Sequence, residues 1–177
     1  PLVGRSPYGY IVRTALIFDF EEKKLKEVLR KMRFSNAEIC KIMNIRQYGQ
    51  LIIHESYRDC NSKGIRYFAR KMLHGVNGSL SDCWSAELFA QCHFDRSDVL
   101  NKRRITSIGS AVYKCYSNDD CYRLSDLNIS GDDLVTLGFK GKEIGITLDY
   151  LLDEVMRANL ANERNCLLEV ASSRREG

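Results

Sequence analysis

Apolar residues recur along this chain three and four positions apart, and the strict alternation that builds strands is nowhere sustained. Leu25, Val28, Leu29 and Met32 make one such stripe over residues 21–33, ringed by Lys23, Lys24, Lys26, Arg30, Lys31 and Arg33. Ser35-Asn36-Ala37-Glu38 is a capping-box pattern, so a second helix begins near residue 36 and carries Ile39, Ile42 and Met43. Gly64 leads into Ile65, Phe68, Ala69, Met72 and Leu73, a stripe that ends near Gly75. After the Asn77-Gly78 turn, Ser79 or Ser81 caps a helix holding Trp84, Leu88 and Phe89. Asp98 starts another through Ile105, Ile108 and Val112, and the polar cluster Asn118-Asp119-Asp120 interrupts it. Beyond it, Ser130 or Asp132 caps a short helix around Leu134 that Gly138 ends. Ile144, Leu148, Leu151, Leu152 and Val155 form the clearest apolar stripe of the chain. Residues 162–171 make a last short helix, and residues 172–177 read as a frayed end. The pattern predicts an all-α protein with no significant sheet: a helical body over residues 1–117 and a smaller helical tail over 118–177.

Composition narrows the classes. With 177 residues, 44% of them apolar and 28% charged, the chain has the make-up of a soluble globular protein. The only prolines are Pro1 and Pro7, which suits uninterrupted helices. No apolar run is long enough to span a bilayer, so no membrane association is expected. Seven cysteines, an odd number without a Cys-x-x-Cys pair, argue for thiols in a reducing cytoplasm and against a disulfide framework. Cys92-His93 has no second pair at zinc spacing, so no metal site is expected. The net charge of +4 is uneven, with 15 Lys/Arg against 7 Asp/Glu in residues 1–75. A polyanion would be drawn to that part first.

Catalytic groupings are hard to find. A nucleotidyl-transfer centre needs carboxylates that converge on two metal ions, and no Asp-x-Asp occurs. Asp119-Asp120 and Asp132-Asp133 read as solvated or capping carboxylates, because adjacent side chains diverge. Histidines at 54, 74 and 93 are too scattered for a nucleophile triad, and no Walker-type phosphate loop is present. No catalytic residue is assigned. Two sets suit RNA backbone instead. One is the turn Gly138-Phe139-Lys140-Gly141-Lys142, where Gly138 and Gly141 allow close approach and Lys140 and Lys142 pair with phosphates. It reads equally as a glycine C-cap with lysines in water. The other is the helix surface of Lys63, Arg66, Arg70 and Lys71, extended by Lys102, Arg103 and Arg104. It reads equally as a solvated face. Trp84 and Tyr67 read as core residues, not as platforms for bases.

The stretch from Cys121 to Gly145 resembles the C-terminal region of tRNA nucleotidyltransferases, the CCA-adding enzymes and their bacterial poly(A) polymerase relatives. The resemblance rests on Ser130-Gly131-Asp132-Asp133-Leu134, Leu137-Gly138 and Gly141-Lys142-Glu143-Ile144-Gly145, with Asn162-Glu163 and Leu167-Leu168 similar to the family's closing helix. A weaker likeness covers residues 15–75, through Arg33-Phe34-Ser35-Asn36-Ala37-Glu38-Ile39 and Gly64-Ile65-Arg66. Many members carry Pro-Gly-Pro where Lys140-Gly141-Lys142 stands here. Phe18-Asp19 sits where some members carry a His-Asp dipeptide, and His54 stands as a remnant ligand of a degenerate hydrolase-like scaffold. The resemblance implies an all-helical body and tail gripping the acceptor stem and elbow of tRNA. It also implies a catalytic head domain, absent from this chain and belonging to the same polypeptide, which uses CTP, ATP and Mg2+; the chain itself needs no cofactor and is not an enzyme alone. The other reading is a stand-alone helical adaptor with a protein partner.

Overall fold

A computed structural model describes residues 9–18, 20–56, 58 and 61–176; Asp19 and Cys60 lie outside the described residues. The order is α1 (Gly9–Ile17), α2 (Glu22–Lys31), α3 (Asn36–Ser56), α4 (Ser62–Gly75), α5 (Leu80–His93) and α6 (Val99–Ser117). A 3-10 turn (Leu124–Asp126) follows, then α7 (Gly131–Thr136), α8 (Lys142–Met156) and α9 (Arg164–Glu176). The described residues contain helices and no strand, so the fold is all-α.

Local chemistry sets the helix starts. The Ser35 N–H donates to Glu38 at 2.8 Å and the Glu38 N–H donates back to Ser35 Oγ at 3.3 Å, a capping box that opens α3. Asn61 caps α4, Ser79 caps α5 and Asp98 caps α6, each accepting a backbone N–H three residues on. Ser130 and Asp133 repeat the box at α7. That helix ends where Gly138, at φ +89°, lets Phe139 N–H reach back to Leu134 O at 3.0 Å. The last helix runs on to Glu176, where the sequence suggested fraying from Ser172. Arg175 anchors it by donating to the Leu137 carbonyl at the end of α7.

The core runs the length of the fold. α3 packs against α1, α5 and α6, and α4 packs against α6. The α3–α5 contact is close: a Cβ on Gly49 would collide with the Phe89 ring. Arg46 on α3 donates to the carbonyls of Phe18 and Phe20 and fixes the chain between α1 and α2. α8 meets α7 and α9 as well as α4. Leu134, Leu151, Leu152 and Leu167 are fully buried among these last three helices.

Asp120 joins the two ends of this arrangement. It follows the C-terminus of α6, its side chain is 6% exposed, and it accepts from Arg66 at 3.0 and 2.7 Å and from Arg70 at 2.9 Å. Arg70 also donates to the carbonyls of Val155 and Met156, at 3.2 and 2.8 Å, in the last turn of α8, where Val155 O accepts from the Ala158 N–H as well. Asp120 is therefore an internal counter-ion, not the solvated carboxylate that the sequence suggested. A lone buried cation is costly, and the carboxylate offsets that cost. Burial alone would raise the Asp120 carboxyl, but hydrogen bonds from Arg66 and Arg70 outweigh it and hold the group at about 2. A carboxylate held below its unfolded value stabilises the fold above that value and loses the contribution as pH falls through the folded one. Urea midpoints are expected to drop between pH 4 and pH 2. The Asp120→Ala variant should lose less over that window, while starting about 3 kcal/mol less stable at neutral pH.

Candidate nucleic-acid interface

The basic residues singled out on the helix surface face three ways. Lys63 and Arg66 sit in the first turns of α4 and are exposed. Arg70, one turn on, is buried in the Asp120 cluster. Lys71 turns toward α8, where Asp153 accepts from Lys71 at 3.1 Å, Tyr67 at 2.9 Å and Arg157 at 2.7 Å. Burial would raise Asp153, but those three donors hold it at about 2. On α6, Arg104 donates to the Ser56 carbonyl at the end of α3, whereas Arg103 is exposed and Lys102 half-exposed.

Of these outward residues, Arg66 lines a groove of about 460 Å³ between α4 and α6. Ser62 and Arg66 line it from α4, and Thr106, Ser107, Ser110 and Lys114 from α6. Helical periodicity builds the α6 wall: Thr106, Ser110 and Lys114 recur every four residues with Ser107 beside them, and the same spacing runs back in sequence to Lys102 and Arg103. Thr106 and Ser107 donate their hydroxyl protons to the carbonyls of Lys102 and Arg103, at 3.0 Å each. Their oxygen lone pairs stay open to a ribose hydroxyl. The cations Arg66 and Lys114 beside a row of hydroxyls suit a sugar-phosphate backbone. Lys114 and the hydroxyl ladder had no place in the sequence reading, yet the i, i+4 spacing from Lys102 carries them.

The turn before α8 divides into a closed half and an open half. At Gly138 the Arg175 guanidinium fills the place a side chain would take. The Lys140 N–H donates to Glu143 at 3.3 Å. Gly141, at φ +54°, has nothing within 4 Å of the position a Cβ would occupy. Lys140 and Lys142 are exposed on either side of it. Arg174, with its guanidinium 4.2 Å from the Tyr150 ring centroid, adds a cation from α9 that the frayed-end reading missed. A helix rises about 1.5 Å per residue, so this turn stands roughly 20 Å along α8 from the Arg70 contact. The two basic sets are separate patches.

The other expected chemistry resolves simply. Among the described residues no three His, Cys, Asp or Glu side chains converge as a metal-binding group. The paired carboxylates do not fit a pair of magnesium ions: Asp120 is held by two arginines, and Asp133 by Ser130 and by Arg164 at 3.0 and 2.5 Å. The Arg164 hydrogen bond, with that of the Ser130 N–H, holds Asp133 at about 2. Cys83 and Cys115 are free thiols that burial pushes up, to about 12 and about 11. No described helix is long and apolar enough to cross a membrane.

Gly138→Ala should cost about 1–3 kcal/mol, because it forces a left-handed backbone on alanine and expels Arg175. Chemical denaturation of the variant would show it, and an unchanged midpoint would contradict this account of the turn.

No curated protein and no solved structure matches the chain. The family description tRNA nucleotidyltransferase domain 2 matches residues 63–171. The match begins at Lys63, in the first turn of α4, and ends at Ala171 on α9, so it takes in the basic residues of α4 and α6, Lys140, Lys142 and the Asp120 junction, and stops short of Arg174. Covering more than half of its length, it makes this chain a member of the tRNA nucleotidyltransferase family.

Proposed function

We propose that the chain is the tRNA-holding part of a tRNA nucleotidyltransferase, which positions the 3′ end of the RNA for nucleotide addition elsewhere in the enzyme. The observation that carries this reading is the groove between α4 and α6, where Arg66 and Lys114 stand with a ladder of hydroxyls, and the same two helices carry the outward Lys63, Lys102 and Arg103. Contacts of that kind go to phosphate and ribose and read shape more than sequence. Lys140, Lys142 and Arg174 form a second contact about one α8 length away. Two cationic patches so separated suit a long structured polyanion such as the acceptor stem and elbow of tRNA.

In this reading a catalytic head domain of the same polypeptide supplies the carboxylates for Mg2+ and the binding of CTP and ATP, and this chain supplies neither. It works in the cytoplasm with tRNA as its partner. Incubated with CCA-less tRNA, labelled CTP and Mg2+, the chain should leave the RNA unextended. Extension would overturn the division of labour.

Fluorescent tRNA titrated with the chain should bind in a salt-dependent manner. Charge reversal at Lys63, Arg103 and Lys114 should weaken binding at every sequence, and each lost phosphate contact should lower the slope of log K against log salt by about 1. The pair Lys140→Glu and Lys142→Glu measures the second patch separately. Arg66 and Arg70 do not belong in this test, because reversing either charge breaks the Asp120 cluster. No binding at low salt would sink the RNA reading and favour an adaptor for a protein partner.

A further inference from the structure

Trp84 does not lie in the core. It is 53% exposed on α5, beside Tyr113 of α6 at 55%. The buried face of α5 carries Cys83, Ala86, Phe89 and Ala90, and the Phe89 ring lies against Gly49 of α3. Trp84 stands off that face, on the wall of a second groove of about 450 Å³ between α5 and α6. Trp84, Glu87, Thr106, Ser110, Tyr113 and Lys114 line it. Thr106, Ser110 and Lys114 also line the groove between α4 and α6, so one ridge of α6 separates the two.

The two sides of that ridge differ in charge. Arg66 stands on the α4 side, where phosphates would lie. On the α5 side, Glu87 sits against Gly109 and accepts from Gln91 at 3.0 Å. Its carboxyl is pushed up by burial. A carboxyl on the floor gives no hold to a phosphate, whereas an exposed indole and phenol offer flat apolar faces to a base. A strand whose backbone follows Lys102, Arg103 and Lys114 along the ridge would drop its bases on the aromatic side.

We propose that the groove between α5 and α6 is a binding site for an unpaired RNA nucleotide, with its base stacked on Trp84 and Tyr113 and its phosphate on Lys114. This site rests on the tRNA-holding reading above, and it adds a preference for single-stranded RNA that backbone contacts alone would not give. A base inside a duplex is already stacked on both faces and cannot enter.

Trp84 is the only tryptophan of the 177 residues, so its emission reports this site alone. A short unpaired RNA oligonucleotide should quench it, and the same strand annealed into a blunt duplex should not. Trp84→Ala should bind the unpaired strand about tenfold more weakly by anisotropy, with an unchanged salt slope, and Trp84→Phe should recover most of the loss. Because the indole is exposed, both variants should keep the helical circular dichroism of the parent. Equal quenching by the duplex, or unchanged binding of the unpaired strand by Trp84→Ala, would overturn the site. If tRNA still binds in a salt-dependent manner in that case, the tRNA-holding reading survives without it. If neither RNA binds at low salt, that reading fails as well, and the aromatic pair belongs to a protein contact.

Discussion

Three charged groups in contact, Asp120, Arg66 and Arg70, hold the segment after α6 and the end of α8 against α4. Asp120 comes directly after α6, the arginines are one turn apart on α4, and Arg70 continues to the carbonyls that close α8. Each link satisfies a group that would otherwise be costly to bury: a carboxylate, a guanidinium and a carbonyl at a helix end. The negative pole of the α8 dipole faces the same guanidinium. Asp153 repeats the device nearby with Lys71, Arg157 and Tyr67, so the contact between α4 and α8 is polar and directional where the rest of the fold is packed by Leu and Ile.

α4 consequently does two jobs that its sequence alone does not separate. Ala69, Met72 and Leu73 face the core, Arg70 and Lys71 face α8, Arg66 looks into the groove shared with α6, and Lys63 is exposed one turn before it. Arg66 belongs to both worlds, since it pairs with Asp120 while its side chain stays 54% exposed. A phosphate at that position would meet a guanidinium already oriented by a carboxylate, so little side-chain freedom remains to be lost on binding.

Much of the fold was legible because helices announce themselves locally. Ser35 with Glu38, Ser79, Asp98 and Ser130 each mark a start by a side chain within three residues of the amide that it meets, and the apolar stripes mark the buried faces. Long-range polar pairing leaves no such mark. Nothing near Asp120 in the sequence points to residues 66 and 70, and nothing near Arg175 points to the Leu137 carbonyl. The basic residues were identified as a group, but which of them turn inward depends on partners some fifty to eighty positions away. Trp84 differs for a related reason: its large apolar ring suggests burial, but it lies on the side of α5 that meets the groove with α6, and the helix pairing that leaves that groove open is not written near residue 84.

α8 separates the two cationic patches and is anchored at both ends, by Arg70 at its last carbonyls and by its packing on α7 and α9 nearer its start. It thus fixes a rotational phase as well as a length. One residue inserted into its exposed face would move Lys140 and Lys142 by only about 1.5 Å along the axis, but would swing them about 100° around it. The spacing of the patches would tolerate such a change and their alignment would not, so α8 sets the direction from which the second patch can be reached.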